Sequence, residues 1–84
     1  MKEITIYTRH NCPYCTRAKM LLESKGAKYN EINIGEHPEE RETMIKRSNG
    51  GKTFPQIFIG DTHIGGCDDL YALESSNRLE SLLK

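Results

Sequence analysis

A strand, a helix and a second strand follow one another in the first 34 residues, and this order constrains the fold more than any other feature. Residues 3–8, EITIYT, and residues 28–34, KYNEINI, have the β-branched and aromatic composition of strands. Between them apolar residues recur at helical spacing from Pro13, and Gly26 is placed to end that helix. Strands joined by one helix run parallel in a right-handed unit. We therefore predict an α/β sheet.

The second half of the chain predicts another helix and a hairpin. Residues 37–48 begin with acidic and end with basic side chains, as suits a helix dipole, although the apolar stripe of this segment is thin. Residues 53–60 and 62–66 read as short strands. The connection between them begins with Gly60, which favours a two-residue turn and an antiparallel pair.

Two helices are predicted at the C-terminus, over residues 67–76 and 77–84. The second would open at Asn77 with Glu80 three residues later, much like a capping box. Together the segments predict one domain over residues 1–84, in the order βαβ-α-ββ-α-α. Its architecture is α/β, a four-stranded mixed sheet flanked by helices.

Composition narrows the range of partners and locations. The 12 basic and 12 acidic residues cancel, so no large field attracts nucleic acid or an anionic membrane surface. The longest apolar run, LYAL, is far shorter than the ~20 residues of a membrane span. The N-terminus lacks the apolar segment and cleavage site of a signal peptide, so we expect the mature chain to start there. We expect a cytoplasmic monomer that binds neither nucleic acid nor membranes.

The motif CPYC places Cys12 and Cys15 three residues apart, directly after the first strand. The chain has three cysteines, an odd number that internal disulfides cannot use up, and this fits a reducing compartment. In such a compartment a close cysteine pair is catalytic or metal-binding more often than structural. We therefore expect chemistry at this pair.

A metal site is the first alternative for these cysteines. Zinc requires four ligands, and Cys67 with His10 or His63 could nominally complete the set. The chain has no second C-x-x-C and no H-x₃₋₅-H, so the spacing does not favour zinc, and no metal is expected. The histidines are interpreted as surface or loop residues, and Cys67 as a small buried side chain.

The other alternative is thiol chemistry, for which the position of Cys12 is suited. Cys12 falls at the N-cap of the first helix, where free N–H groups and the dipole stabilise a negative charge by ~0.3–2 kcal/mol. An ordinary thiol has a pKa near ~8.5, so backbone hydrogen bonds and the nearby Arg9 would have to lower the pKa further. We expect Cys12 to be an exposed thiolate, and Cys15, deeper in the helix, to remain a thiol ready for a second attack.

Two later segments could complete a binding site. Pro55 precedes a strand and is a candidate for a cis peptide bond, with an ordinary strand-start proline as the alternative. The segment GGCDD joins a flexible glycine pair to a helix N-terminus suited to a carboxylate. Asp68 and Asp69 could accept an ammonium group, or could simply favour the helix dipole. Tyr14 could line a peptide-sized groove or be a plain surface residue.

Taken together, CPYC, TFPQIFI and IGGCDDL make the chain resemble the small dithiol glutaredoxins of bacteria, from about residue 3 to the C-terminus. The resemblance implies a thioredoxin-like fold, glutathione as cosubstrate, a cis Pro55, Cys12 as the nucleophile and Cys15 as the resolving thiol. It also implies which residues bind glutathione: Arg9, Tyr14, Thr53, Phe54, Pro55, Gly66, Cys67 and Asp68. Phe54 would pair through its backbone, and Cys67 and Asp68 would hold the γ-glutamyl end.

Two residues depart from the family pattern. Glutaredoxins often have valine at the position of Phe54 and lysine at the position of Arg9. The larger Phe54 side chain could narrow the groove, although backbone pairing does not use the side chain. Arg9 retains the positive charge but changes the geometry of the donors.

The resemblance implies a glutathione-dependent oxidoreductase that reduces protein disulfides and protein–glutathione mixed disulfides. Ribonucleotide reductase is a candidate among its protein substrates. Two alternatives from other classes stay open: a carrier that binds an iron–sulfur cluster through Cys12 and glutathione, and a redoxin that thioredoxin reductase reduces. The presence of Cys15 disfavours the iron–sulfur carrier. The GGCDD segment disfavours the redoxin that thioredoxin reductase reduces.

Overall fold

The computed structural model describes residues 2–84, and its elements follow the predicted order. A 3₁₀ turn over Pro38–Glu40 leads directly into the second α-helix. The strands and helices, in chain order, are β1 (Ile4–Thr8), α1 (Pro13–Ser24), β2 (Asn30–Asn33), α2 (Arg41–Arg47), β3 (Gln56–Ile59), β4 (Thr62–Gly65), α3 (Cys67–Ser75) and α4 (Leu79–Leu83).

The four strands form one mixed sheet in the order β2-β1-β3-β4. β1 and β2 are parallel, with Ile6 opposite Glu31, as a strand–helix–strand unit requires. β1 and β3 are antiparallel, and so are β3 and β4. The predicted α/β architecture is therefore confirmed. Because β1 is central, the loop that follows it opens beside the loop that precedes β3.

Alternation along the two central strands supplies a separate core to each face of the sheet. On one face, residues from β1 and β3 pack against α1, α3 and α4, with Leu22, Leu70 and Leu79 fully buried. On the other face, α2 contributes Met44, which packs with Tyr7, Ile34 and Phe58. The thin apolar stripe of α2 is thus sufficient, because one fully buried methionine anchors the helix.

The loops between elements are set by residues with positive φ. Gly26 (φ 69°) ends α1 as predicted, with the N–H of Ala27 bonded back to the carbonyl of Leu22. Asn77 (φ 59°) performs the same role after α3, because the N–H of Arg78 donates to the carbonyl of Leu73. The prediction that Asn77 caps α4 is wrong: α4 begins at Leu79, and Asn77 ends the preceding helix.

The β3–β4 hairpin turns at Gly60 and Asp61, and only the glycine has positive φ (58°), as predicted for a glycine-first turn. Its pairing is irregular further along, with a register shift between Ile57 and Phe58. Within residues 2–84, no helix combines the length and apolar character that crossing a membrane would demand.

Candidate active site

Cys12 is the N-cap residue of α1, as the sequence predicts. Its backbone is extended (φ −117°, ψ 95°), and its sulfur accepts a hydrogen bond from the backbone N–H of Cys15 at 3.2 Å. Its carbonyl accepts from the N–H of Thr16 at 3.1 Å, which starts the helix. Pro13 at the first helical position needs no N–H partner, so it fits this site without leaving a donor unpaired. The sulfur of Cys12 therefore lies where helix donors stabilise negative charge.

Cys12 and Cys15 are joined by a disulfide, with their Cα atoms 5.2 Å apart. In this bonded form Cys12 is 7% exposed and Cys15 only 2%. The expectation of a solvent-exposed Cys12 sulfur concerns the reduced thiolate, and it stays a prediction. Cys12 is the more accessible of the two, because Cys15 lies one turn inside the helix and against the core.

Tyr14, between the two cysteines, is 54% exposed, so its ring projects outward as predicted. The guanidinium carbon of Arg17 lies 6.0 Å from the centre of this ring and 5.5 Å from the ring of Tyr71 in α3. The hydroxyl of Tyr71 donates to the carbonyl oxygen of Arg17 at 3.2 Å. These contacts join the first turn of α1 to α3 with one cation between two aromatic rings.

Arg9 contacts the ring of Phe54 and the backbone of His10. Its guanidinium lies 6.0 Å from the ring centre of Phe54 and donates to the carbonyl oxygen of His10 at 3.4 Å. Among residues 2–84, no hydrogen bond joins Arg9 to the sulfur of Cys12. The observed donor to that sulfur is a backbone N–H, so the helix terminus is the contact that can stabilise a thiolate here.

A cavity of about 350 Å³ extends from Tyr14 to the start of α3. It contains six of the eight residues that the resemblance implies for glutathione, and these are Tyr14, Thr53, Phe54, Gly66, Cys67 and Asp68. Arg9 and Pro55 do not line it. Pro55 is buried behind the wall, its peptide bond with Phe54 is cis, and its carbonyl oxygen faces Gly66. The folded chain therefore brings three distant segments together beside the disulfide.

The far wall of this cavity is the N-terminus of α3, which begins at Cys67 after the N-cap residue Gly66. The carboxylate of Asp69 accepts a hydrogen bond from the N–H of Gly66 at 2.9 Å, so Asp69 caps the helix. Asp68 is also exposed and lines the cavity beside Asp69, and it caps nothing in the helix. Cys67 is 5% exposed, and burial raises the pKa of its thiol, while Arg17 lowers that pKa and Asp68 raises it. Its thiol is thus not activated.

Sequence reasoning missed two polar residues that line the same cavity, Gln56 and His63. The ring nitrogen Nε2 of His63 lies 2.7 Å from Oε1 of Gln56, and Nε2 of Gln56 donates to the carbonyl oxygen of Thr53 at 3.0 Å. His63 was expected on the surface, but it is half-buried in β4. The sequence feature that could have indicated them is Gln56, a polar residue at the start of the otherwise apolar strand QIFI.

No group of three or more histidine, cysteine or acidic side chains is arranged to hold a metal ion in the part of the chain that is described, residues 2–84. His10 and His63 are the two histidines named above as possible zinc ligands. His63 is hydrogen-bonded to Gln56 and stacked on Phe58. The cysteine pair is itself closed by a disulfide. The chemistry that Cys12 and Cys15 supply in this pairing is thiol–disulfide exchange.

Comparison with known proteins agrees with this geometry. Residues 4–64 match the glutaredoxin family. Glutaredoxin 3 of Escherichia coli K12 is 56% identical over 84 residues, which is 100% of both chains. A solved buckwheat glutaredoxin–glutathione complex is 29% identical and superposes with a TM-score of 0.84, covering 95% of this chain and 74% of that one. A structure described as "Metal Binding of Glutaredoxins" is 60% identical, with a TM-score of 0.75, covering 100% of this chain and 90% of that one.

The chain belongs to the glutaredoxin family. Its mixed four-stranded sheet flanked by helices is a thioredoxin-like fold, as in the solved glutaredoxins that superpose on it. The family and the Cys12–Cys15 disulfide together make it a thiol–disulfide oxidoreductase. The family and fold predictions drawn from CPYC, TFPQIFI and IGGCDDL are confirmed.

Proposed function

We propose that this oxidoreductase uses glutathione as its cosubstrate and reduces protein–glutathione mixed disulfides and protein disulfides. The observation that carries the proposal is the hydrogen bond from the Cys15 N–H to the Cys12 sulfur, at the end of α1 that adjoins the 350 Å³ cavity. This arrangement stabilises a thiolate next to a space that suits a small peptide. The solved complex of a buckwheat relative with glutathione lends further support.

In the first reaction, the Cys12 thiolate attacks the glutathione sulfur of a mixed disulfide. A new bond forms between Cys12 and glutathione, the bond to the protein sulfur breaks, and the protein thiolate leaves and takes up a proton. A second glutathione thiolate then attacks the bound glutathione sulfur. This attack forms oxidised glutathione and returns Cys12 as a thiolate, so Cys15 is not required.

In the second reaction, the Cys12 thiolate attacks one sulfur of a protein disulfide. A mixed disulfide forms, the bond between the two protein sulfurs breaks, and the other sulfur leaves as a thiolate and takes up a proton. The Cys15 thiolate then attacks the sulfur of Cys12 and releases the reduced protein. The product is the Cys12–Cys15 disulfide, the form in which the pair is bonded here. Two glutathiones reduce this bond in turn and leave as oxidised glutathione.

The cavity offers complementary groups for each part of glutathione. The free N–H groups at the start of α3, with Cys67 first in the helix, suit the α-carboxylate of the γ-glutamyl end. Asp68, exposed beside them, suits its ammonium group. The backbone of Phe54 would pair with the cysteinyl residue, with Thr53 and the cis Pro55 shaping this edge. Arg9 and Tyr14 would flank the peptide close to the sulfur.

We further propose that the protein acts as a monomer in the cytoplasm, on disulfide-containing or glutathionylated proteins that include ribonucleotide reductase as a candidate. The odd number of cysteines, which fits a reducing compartment, supports this location. A thioredoxin reductase coupling would compete with this proposal. A coupled assay that offers glutathione and glutathione reductase, or thioredoxin reductase, as the electron source separates the two.

A second candidate function is iron–sulfur cluster binding between two chains through Cys12 and glutathione. The observation in its favour is the 60% identical structure described by its metal binding. The second active-site cysteine disfavours it, because an oxidant such as oxidised glutathione can convert the pair to the Cys12–Cys15 disulfide, in which Cys12 is no longer a thiolate ligand. Visible absorption after anaerobic reconstitution with iron and sulfide tests this function, since a bound cluster absorbs there and an apo chain does not.

Mass spectrometry after treatment with oxidised glutathione tests the main proposal. In a Cys15→Ser variant, we expect one glutathione adduct, mapped to Cys12, and no adduct on Cys67. The Cys12→Ser variant serves as the matched control and should carry none. An adduct on Cys67 instead, or equal labelling of all cysteines, would refute the assignment of Cys12 as the nucleophile.

A further inference from the structure

Gln56 is a buried amide in a strand that is otherwise apolar. It is 4% exposed and heads β3, where the residues that follow it are Ile57, Phe58 and Ile59. A buried amide is costly unless its donors and acceptor find partners. Its nitrogen has two, because it donates to the carbonyl oxygen of Thr53 at 3.0 Å and to the Thr53 hydroxyl oxygen at 3.2 Å.

These two bonds fix the orientation of the amide. With its nitrogen directed at Thr53, its oxygen Oε1 faces Nε2 of His63 at 2.7 Å. A carbonyl oxygen can only accept, so Nε2 of His63 carries the proton and donates it. The result is a directed chain of hydrogen bonds from His63 through Gln56 to Thr53, at the edge of the cavity.

His63 is itself held in place by the core. Its ring stacks on the ring of Phe58, with centroids 4.9 Å apart and an interplanar angle of 29°. The register shift in the hairpin sets His63 opposite Phe58 and Gly65 opposite Ile57, so β4 accommodates one additional residue there. Phe58 is fully buried, and Arg47 lies over its ring at 4.2 Å. His63, the first donor in this chain of hydrogen bonds, is therefore held in place by packing.

Thr53, the last acceptor in this chain of hydrogen bonds, is not held in place by burial. Thr53 is exposed, and with Phe54, which follows it, it forms one edge of the cavity. An exposed turn keeps one conformation only where hydrogen bonds restrain it. The bonds from Gln56 act on the Thr53 carbonyl and hydroxyl, directly beside the backbone that would pair with the peptide.

We propose that His63 and Gln56 are positioning residues that hold the Thr53–Phe54 backbone ready for glutathione. This inference rests on the proposed glutathione function. It adds to that function an explanation of what holds the Thr53–Phe54 backbone in one conformation. Neither side chain touches the reacting sulfurs. Their loss should therefore weaken binding of the glutathione moiety and leave the chemical step at Cys12 intact.

Two substitutions test the Gln56–Thr53 and His63–Gln56 hydrogen bonds separately. Gln56→Glu keeps the shape and an acceptor for His63 but cannot donate to Thr53. His63→Phe keeps a ring to stack on Phe58 but removes the donor to Gln56. His63→Gln is the conservative variant, because its amide nitrogen can reach the position of Nε2. His37→Phe, at an exposed histidine ahead of α2, is the matched control.

The first measurement is steady-state kinetics with a glutathionylated peptide. We expect Gln56→Glu and His63→Phe to raise KM about five- to twentyfold with kcat within about twofold, which is the pattern for lost binding of the substrate. His63→Gln should recover most of that loss, and His37→Phe should match the unmodified protein. A fall in kcat with unchanged KM would overturn the positioning role.

The second measurement does not depend on glutathione. Backbone ¹⁵N order parameters of Thr53 and Phe54 in the oxidised, ligand-free protein should fall from about 0.85 toward 0.6 in the first two variants. Unchanged order parameters would overturn the inference, whatever the kinetics. Lower order parameters with unchanged KM would also overturn it. If the unmodified protein had no glutathione-dependent activity, the proposed function would fail. The order parameters would then decide by themselves whether the hydrogen bonds from His63 through Gln56 order the Thr53–Phe54 turn.

Discussion

The backbone N–H of Cys15 donates a hydrogen bond to the sulfur of Cys12 over 3.2 Å. This contact joins the two cysteines of the active site through the first turn of α1, so the same turn that brings their sulfurs together also supplies a donor to the outer one. A negative sulfur at Cys12 gains from this bond and from the helix dipole, whereas Cys15 lies inside the helix. The two cysteines are therefore chemically unequal.

The unequal roles predict different effects of two serine variants. Cys12→Ser should abolish reduction of both protein disulfides and glutathione mixed disulfides, because the attacking sulfur is lost. Cys15→Ser should abolish only the reduction of protein disulfides, since a second glutathione can resolve the Cys12 adduct. Steady-state assays with each substrate measure both. Equal loss of both activities in Cys15→Ser would contradict the division of roles.

The two neighbouring aspartates of α3 should separate stability from binding. Asp69→Ala removes the acceptor for the Gly66 N–H and should lower the free energy of unfolding by about 0.5–2 kcal/mol. Asp68→Ala should raise KM for a glutathionylated peptide severalfold and leave unfolding within about 0.5 kcal/mol. Urea denaturation and steady-state kinetics measure the two effects. The reverse pattern would show that the roles of the two carboxylates have been exchanged.

Cys67 should behave as a protonated, protected thiol at neutral pH. Burial raises the pKa of its thiol, so the unfolded chain loses this proton at lower pH than the folded one. Its contribution to stability is thus present below the ordinary thiol pKa and is lost as pH rises past the folded value. We expect its alkylation at pH 7.5 to be about 100-fold slower in the native protein than in urea. Comparable rates would disprove the protection.

The second core depends on one methionine of α2. Met44 is fully buried, so Met44→Ala should lower the free energy of unfolding by about 2–5 kcal/mol through lost burial and a residual cavity. Met20, which is 61% exposed, provides the matched control, and Met20→Ala should change stability by less than about 0.5 kcal/mol. Denaturant titration of the oxidised proteins gives both values. A loss under 1 kcal/mol at Met44 would mean that α2 is held by other contacts.

Local patterns predicted the fold because each element carries its own start and stop. Cys12 and Pro13 mark the beginning of α1, Gly26 marks its end, and Gly60 marks the hairpin turn. Asn77 was misassigned because asparagine serves equally at a helix N-cap and in the left-handed position after a helix. Only the bonds that close α3 around it separate the two uses.

The site was predicted less completely, because part of it depends on contacts between strands. The cavity residues that belong to short motifs, such as Thr53 and Asp68, could be recognised in the sequence. The bond between His63 and Gln56 depends on the irregular β3–β4 register, which no local pattern contains.

The most direct test of the account is the alkylation rate of Cys12 by iodoacetamide across a pH series, in reduced protein carrying Cys15→Ser. Because the end of α1 stabilises the thiolate, we predict that the rate reaches half its maximum well below pH 7. An ordinary free cysteine reaches that point near pH ~8.5. A Cys12 rate profile that coincides with that of a free cysteine would contradict the account.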